Sequence, residues 1–145
     1  MIEKDRYIRQ LVLPEIGEKG QERLKDSKVL IIGAGGLGSP VALYLAAAGV
    51  GTLGILDYDK VSTSNLNRQI LYEDNDEGKW KVDVAACKIK KLNRRIHINI
   101  YPEKITREKY QRAREIVAEY DIVVDACDNM ATRYLVSDLT EELSI

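Results

Sequence analysis

The sequence predicts an α/β fold: a Rossmann-like, doubly wound parallel sheet of strand order about 3-2-1-4. An N-terminal helical segment precedes it, and the fold is expected to be truncated after the fourth strand and its helix. Three observations carry this expectation. Short apolar runs suited to buried strands alternate with amphipathic stretches of helical spacing, the pattern of βαβ units. The first run stops at a glycine motif, Gly33-Ala34-Gly35-Gly36-Leu37-Gly38, that opens a helix. The chain of 145 residues is 45% hydrophobic and 31% charged, enough for one domain with a sizeable core.

The elements follow in order. Residues 1–27 read as an arm of one or two short helices with a break between Pro14 and Gly17, and residues 28–145 as the core of a single nucleotide-binding domain. Lys28–Ile32 is a short apolar run that ends at Gly33, as a buried parallel strand would. Gly38–Ala48 is rich in Ala and Leu and is closed by Gly49, which reads as a helix with a glycine stop. Thr52–Asp57 is the second strand, and it ends in a carboxylate. Tyr58–Gly78 is polar and Asn-rich, a long loop with one helical turn.

Val82, Ala85, Ala86, Ile89 and Leu92 recur at helical spacing, which predicts a helix over Val82–Arg95. Ile96–Tyr101 alternates as a strand and Pro102 ends it. Thr106–Glu119 is amphipathic, with Thr106 as its expected N-cap. Asp121–Asp125 is the fourth strand and Ala131–Leu143 the last helix. In that order the switch point lies between strands one and four, and ligands bind beside it at the carboxyl ends of the strands.

Composition narrows the function classes. Lys and Arg number 22 against 23 Asp and Glu, a net charge of -1, which removes the long-range attraction to phosphate backbones that nucleic-acid binders show. No apolar stretch is long enough to span a membrane, and the charged start Met1-Ile2-Glu3-Lys4-Asp5-Arg6 lacks the apolar stretch of a secretory leader, so the expected location is cytoplasmic. Cys87 and Cys127 are the only cysteines, too few for a disulfide scaffold or a four-cysteine zinc site. Zinc is therefore not expected.

The chemistry centres on the glycine motif. Gly33, Gly35, Gly36 and Gly38 let backbone approach a phosphate, and the helix N-terminus adds free N–H donors and a positive dipole. Asp57 lies 19 residues beyond Gly38 at a strand tip, where a carboxylate can accept ribose hydroxyls. The motif does not name the nucleotide, and an NAD-dependent oxidoreductase needs little more. The loop that follows carries Asp59, Asn65, Asn67, Arg68 and Gln69, with Lys81 just beyond. Arg and Lys suit the heavier charge of a triphosphate; the competing reading is a solvated polar loop. At the end of the fourth strand, Asp125 and Asp128 are carboxylates that could hold Mg²⁺. Alternatively, Asp128 or Asn129 caps the next helix. His97 reads as structural, and the basic run Lys88, Lys90, Lys91, Arg94, Arg95 as a solvated helix face.

These motifs together resemble one family. Arg6-Tyr7-Ile8-Arg9-Gln10, the glycine motif, Ala47–Gly51, Leu56–Asp59, Ser64-Asn65-Leu66-Asn67-Arg68-Gln69, Gly78–Val82, Asp125–Asn129 and Thr132-Arg133-Tyr134 occur in the order seen in the adenylyltransferases of molybdopterin and thiamine biosynthesis, relatives of the ubiquitin-activating enzymes. The chain is similar to their N-terminal, nucleotide-binding half. The resemblance implies that the C-terminal glycine carboxylate of a ubiquitin-like sulfur-carrier protein, ending Gly-Gly, attacks the α-phosphate of ATP to give an acyl-adenylate. It implies roles residue by residue. Asp57 would hold the ribose and Gly36 the phosphates, Asn65, Arg68 and Lys81 the triphosphate, and Asp128 the Mg²⁺. Arg9 would reach the site of a neighbouring subunit in a homodimer. Asp59, Gln69 and Asn129 are further expected nucleotide contacts.

The sequence also departs from the family. Its members are longer, and the zinc-binding CxxC pairs and carrier-receiving strands of their second half are absent here. The expectation is a fragment or truncated gene product, whose fourth strand keeps one edge unpaired. A non-catalytic nucleotide-binding module is the alternative to an active enzyme. Neither cysteine has surroundings that suggest an activated thiol.

Overall fold

The computed structural model describes residues 4–145. Met1, Ile2 and Glu3, which begin both the expected arm and the segment read as lacking a leader, lie outside the described residues. Four parallel strands, β1 (Lys28–Ile32), β2 (Thr52–Leu56), β3 (His97–Tyr101) and β4 (Ile122–Asp125), form one sheet in the order β3-β2-β1-β4. Before the sheet come α1 (Lys4–Leu11) and α2 (Gly17–Asp26); α3 (Gly38–Ala48), α4 (Lys81–Leu92) and α5 (Tyr110–Val117) link the strands, and α6 (Met130–Leu143) follows β4. None of the described helices is long and apolar enough to cross a membrane.

The central strands are apolar at consecutive positions because both sheet faces are covered. Val29, Ile31, Leu53 and Ile55 pack with α3 and α4 on one face, while Leu30, Ile32 and Leu56 pack with α5 and α6 on the other. Gly54 interrupts β2 for a steric reason: Tyr120 lies across it, and a Cβ there would overlap the phenol oxygen. That oxygen is held by Asn99 Nδ2 at 3.1 Å and by Tyr101 Oη at 2.9 Å.

The arm packs against the end of α3. Gly49 ends that helix at φ 91°, and Gln10 and Gln21 both donate to the Ala48 carbonyl, at 3.0 and 2.9 Å. Gln10 also donates to Gln21 Oε1 at 2.7 Å, and the Tyr7 hydroxyl accepts from Asn93 Nδ2 at 2.8 Å. Tyr7 and Gln10 thus fasten α1 inward, and Arg9 between them is exposed.

Three sequence expectations need correction. The segment after Pro102 is not one helix from Thr106: a 3₁₀ turn over Arg107–Lys109 comes first, α5 begins at Tyr110, and Thr106 makes no side-chain cap bond. The helix expected to reach Arg95 stops at Leu92, because Asn93 turns inward to donate to Tyr7 and to the Ala46 carbonyl. The long loop carries two 3₁₀ turns rather than one helical turn, at Thr63–Asn65 and Asp74–Asp76. The outer edge of β4 is unpaired among the described residues, with Ile122 exposed beside it.

Candidate nucleotide site

The strand register brings the chemistry together. Ile32 is level with Leu56 on one side and with Asp125 on the other, so the three strands finish side by side. The Gly33 N–H donates to the Leu56 carbonyl at 2.8 Å and the Ala126 N–H to the Ile32 carbonyl at 2.9 Å. The glycine loop therefore emerges between Asp57 and the segment Ala126–Asn129. Gly33 has φ 97°, and a Cβ on it would meet the Ala126 carbonyl oxygen at 2.6 Å. A Cβ on Gly38 would overlap the Gly33 carbonyl oxygen. These two glycines are demanded by the turn itself. Gly35 and Gly36 differ: a Cβ would meet only the Gln69 amide at 3.4 Å or the Arg68 side chain at 3.6 Å.

Asp57 ties the site to its loops. Its buried carboxylate accepts the Ala34 N–H on Oδ2 and the Asp59 N–H on Oδ1, both at 2.8 Å. Each oxygen keeps a second lone pair for a ligand hydroxyl. The loop that follows is closed at its base, where Lys60 bridges to Trp80, the Val61 N–H donates to the Lys79 carbonyl and the Lys81 N–H to the Asp59 carbonyl. Asp76 anchors its far end: its carboxyl accepts the Glu73 N–H and Lys79, lies near Lys88, and titrates below the usual range despite burial, which alone would raise it.

A cavity of about 670 Å³ opens over these strand ends. Gly33, Gly35, Gly36, Asp57, Asp59, Arg68, Gln69, Lys81, Asp128 and Asn129 all line it. Its volume is in the range of small-molecule sites. Cationic, anionic and backbone-donor groups all line it. Lys81 is buried in the first turn of α4, with Nζ 3.4 Å from Asp59 Oδ2. Arg68 is exposed and donates from Nη1 to the Ser64 carbonyl and to Asn67 Oδ1, both at 3.0 Å. Asp128 is exposed and makes no hydrogen bond or ion pair with the described residues. The buried Oε1 of Gln69 has no partner among them.

Three expected site residues stand elsewhere. Gly38 lies behind the loop, as the first residue of α3, rather than on the cavity wall. Asn65 Oδ1 accepts the Ser62 N–H and so is engaged in its own 3₁₀ turn. Arg9 is on α1, outside the cavity lining of its own chain. Asn129 lines the cavity, but its Oδ1 accepts the Thr132 N–H as the N-cap of α6, the capping alternative read from the sequence.

Two residues of the wall, Lys104 and Ile105, belong to no sequence motif. Lys104 and Ile105 arrive from the turn after β3, and the Lys104 ammonium lies 5.2 Å above the Tyr58 ring. No motif spacing marks them; only the position of β3 in the sheet does. Arg133 donates twice to the Cys127 carbonyl, at 3.2 and 2.9 Å, and lies 4.0 Å from Asp125. Cys127 is buried and its thiol donates to Asp125 Oδ1 at 2.8 Å. Burial, and then the Asp125 carboxylate, push that thiol up to about 11, which makes it a poor nucleophile at neutral pH.

The model of the ThiF family matches residues 7–145. The chain is 51% identical over 136 residues to the sulfur carrier protein adenylyltransferase of Thermus thermophilus, covering 94% of this chain and 49% of that protein. It is 54% identical to the adenylyltransferase and sulfurtransferase MOCS3 of Dictyostelium discoideum, covering 94% of this chain and 31% of that one. The chain thus spans about half the length, or less, of these curated relatives. Among solved structures, the E. coli tRNA N6-threonylcarbamoyladenosine dehydratase TcdA in complex with ATP is similar at TM-score 0.89 and 27% identity, over 98% of this chain and 57% of that one.

Proposed function

The chain belongs to the ThiF family, and from that premise we propose that it is the nucleotide-binding half of an adenylyltransferase that activates the C-terminal glycine carboxylate of a ubiquitin-like sulfur carrier. The observation that carries this reading is the convergence on one cavity of Gly35 and Gly36, Arg68, Lys81 and Asp128. Backbone donors, two cations and an unpaired carboxylate lining one cavity suit a metal-bound triphosphate better than the pyrophosphate of a dinucleotide. A relative 51% identical to this chain is a sulfur carrier protein adenylyltransferase.

In the proposed reaction a carboxylate oxygen attacks the α-phosphorus of ATP. The bond from that phosphorus to the β-bridging oxygen breaks, pyrophosphate leaves with the electron pair, and an acyl-adenylate remains. No protein nucleophile is needed, so the chain's task is positioning and charge. Gly35 and Gly36 leave room for the phosphates and supply N–H donors. Lys81, paired with Asp59, sets a positive charge beside them. Arg68 can exchange its bonds to Ser64 and Asn67 for phosphate oxygens. Asp57 accepts ribose hydroxyls on its remaining lone pairs.

Magnesium fits this donor set. No cluster of three His, Cys, Asp or Glu capable of holding a metal exists among the described residues, and Asp128 is a single carboxylate free to coordinate. Magnesium is commonly held by one or two carboxylates together with substrate phosphates and water. When bound, it would neutralise the charge of the leaving pyrophosphate.

Arg9 completes the proposal in a homodimer. Tyr7 and Gln10 lock α1 to the core while Arg9 stays exposed on the arm, with Ile8, Val12 and Leu13 exposed beside it. A twofold partner covering that apolar face would receive Arg9 in its own cavity. Exchange of labelled pyrophosphate into ATP, dependent on a carrier ending Gly-Gly, tests the reading. Carrier-dependent exchange supports it. Binding of ATP by a form that contains the carrier-receiving half, with no exchange for any such carrier, would leave a non-catalytic module.

A further inference from the structure

Tyr72 lies outside the cavity lining, yet it is bonded to the glycine loop at its most consequential point. Its buried hydroxyl donates to the Ala34 carbonyl at 2.6 Å. The other polar group of the same residue, the Ala34 N–H, donates to Asp57 Oδ2 at 2.8 Å. Ser39 Oγ approaches the Ala34 carbonyl only to 3.5 Å, so the phenol is the principal donor.

A trans peptide is planar, and its C=O and N–H point in opposite directions. The carbonyl of Ala34 and the N–H of Gly35 belong to one such unit. Pulling the carbonyl toward Tyr72 therefore turns the Gly35 N–H the opposite way, and Gly35 itself lines the cavity. No acceptor among the described residues takes the Gly35 N–H. A free, oriented donor at this spot is what an anionic ligand group requires. Tyr72 is also continuous with the cationic wall: its N–H donates to the Gln69 carbonyl at 3.1 Å, and Arg68 and Gln69 both donate to the Asn65 carbonyl.

We propose that Tyr72 is a positioning residue: through the Ala34 carbonyl it aims the Gly35 N–H at the phosphates of the bound nucleotide and keeps the Arg68–Gln69 segment in register with the loop. The inference rests on the nucleotide reading given above. Its specific content is that Tyr72 acts on phosphate recognition alone and touches neither base nor ribose.

Tyr72→Phe removes the hydroxyl and keeps the ring that packs in the core. Tyr101→Phe is the matched control, since it also loses a phenol bond in the interior, to Tyr120, away from the glycine loop. Two measurements separate the outcomes. In calorimetry, Tyr72→Phe weakens ATP binding about ten-fold, the scale of one misdirected bond to a charged group, and leaves adenosine binding unchanged, while Tyr101→Phe changes neither. Equal loss for ATP and adenosine, or no loss for ATP, overturns the proposal. In the nucleotide-free chain, the residual dipolar coupling of the Gly35 N–H vector shifts in Tyr72→Phe and not in Tyr101→Phe; an unchanged coupling overturns it independently. If the wild-type chain binds no ATP, the nucleotide reading fails, and the coupling still decides whether Tyr72 orients Gly35.

Discussion

The ammonium of Lys81 lies 3.4 Å from Oδ2 of Asp59, a contact between residues 22 positions apart that face each other at the two ends of one loop. The pair is asymmetric: the Lys81 side chain is 5% exposed and that of Asp59 52%. The buried partner is the cation, so the arrangement holds a positive charge inside the cavity wall and leaves its counter-ion in contact with water. Lys81→Met, close in volume, removes a desolvated charge and leaves Asp59 solvated, so stability should change little. We expect a melting temperature within ~4 °C of wild type and ATP affinity at least ten-fold weaker, roughly the 1.4 kcal/mol or more of a lost charge-assisted contact. Thermal denaturation and calorimetry on one preparation check both.

The glycine loop offers a paired contrast. Gly36→Ala places its methyl against the Arg68 side chain at an ordinary 3.6 Å, on the cavity side. It should fold normally and lose ATP affinity. Gly38→Ala drives its methyl into the Gly33 carbonyl and should lower stability by several degrees or fail to fold. If Gly36→Ala binds ATP as well as wild type does, the phosphates do not lie where the loop is open.

Much of this was legible in the sequence because it depends on local rules. The run Val29–Ile32 is apolar at every position because helices cover both faces, and a strand–glycine–helix sequence forces the loop to the sheet's carboxyl edge. What escaped was set by partners distant in sequence. Asn93 ends α4 early because Tyr7, 86 positions away, offers a bond. Lys104 and Ile105 enter the cavity because β3 stands beside β2. The Asn65 amide serves its own turn, which spacing alone did not reveal.

Cys127 should be the slower of the two thiols. It is buried beside Asp125 and its thiol is held up at about 11, whereas Cys87 is exposed on α4. Iodoacetamide at pH 7.5 should alkylate Cys87 first, and the Cys127 rate should climb until the pH reaches about 11. The folded chain holds this proton more tightly than the unfolded chain does. The thiol's contribution to stability is therefore complete below its ordinary value of 9.0 and is lost as pH rises toward about 11. Cys127→Ser should flatten that part of the stability profile and retain ATP binding.

Asp128→Asn tests the metal assignment. The residue is exposed and unpaired, so the fold should be indifferent to the change, with stability inside about ±0.5 kcal/mol of wild type. ATP binding by the wild-type chain should strengthen with added Mg²⁺, and that dependence should vanish in the variant. A variant whose ATP affinity still rises with Mg²⁺ would assign the ion to other groups.

Mixing variants tests the exchange of Arg9 between subunits. Arg9→Ala and Lys81→Ala chains, each in a form that contains the carrier-receiving half, should be inactive alone. After subunit exchange, half the dimers are mixed and each has one intact site, so activity returns to at most about a quarter of wild type. Demonstrated exchange without recovery would return Arg9 to the role of a surface ion, worth at most ~1 kcal/mol.

Under the proposed function this cavity takes a metal-bound triphosphate rather than a dinucleotide. Calorimetric titration of the chain with ATP and Mg²⁺, and separately with NAD⁺, tests it most directly. We expect saturable binding of ATP that weakens when Mg²⁺ is chelated, with NAD⁺ at least ten-fold weaker, a gap of roughly 1.4 kcal/mol. Tighter binding of NAD⁺ than of ATP would contradict it.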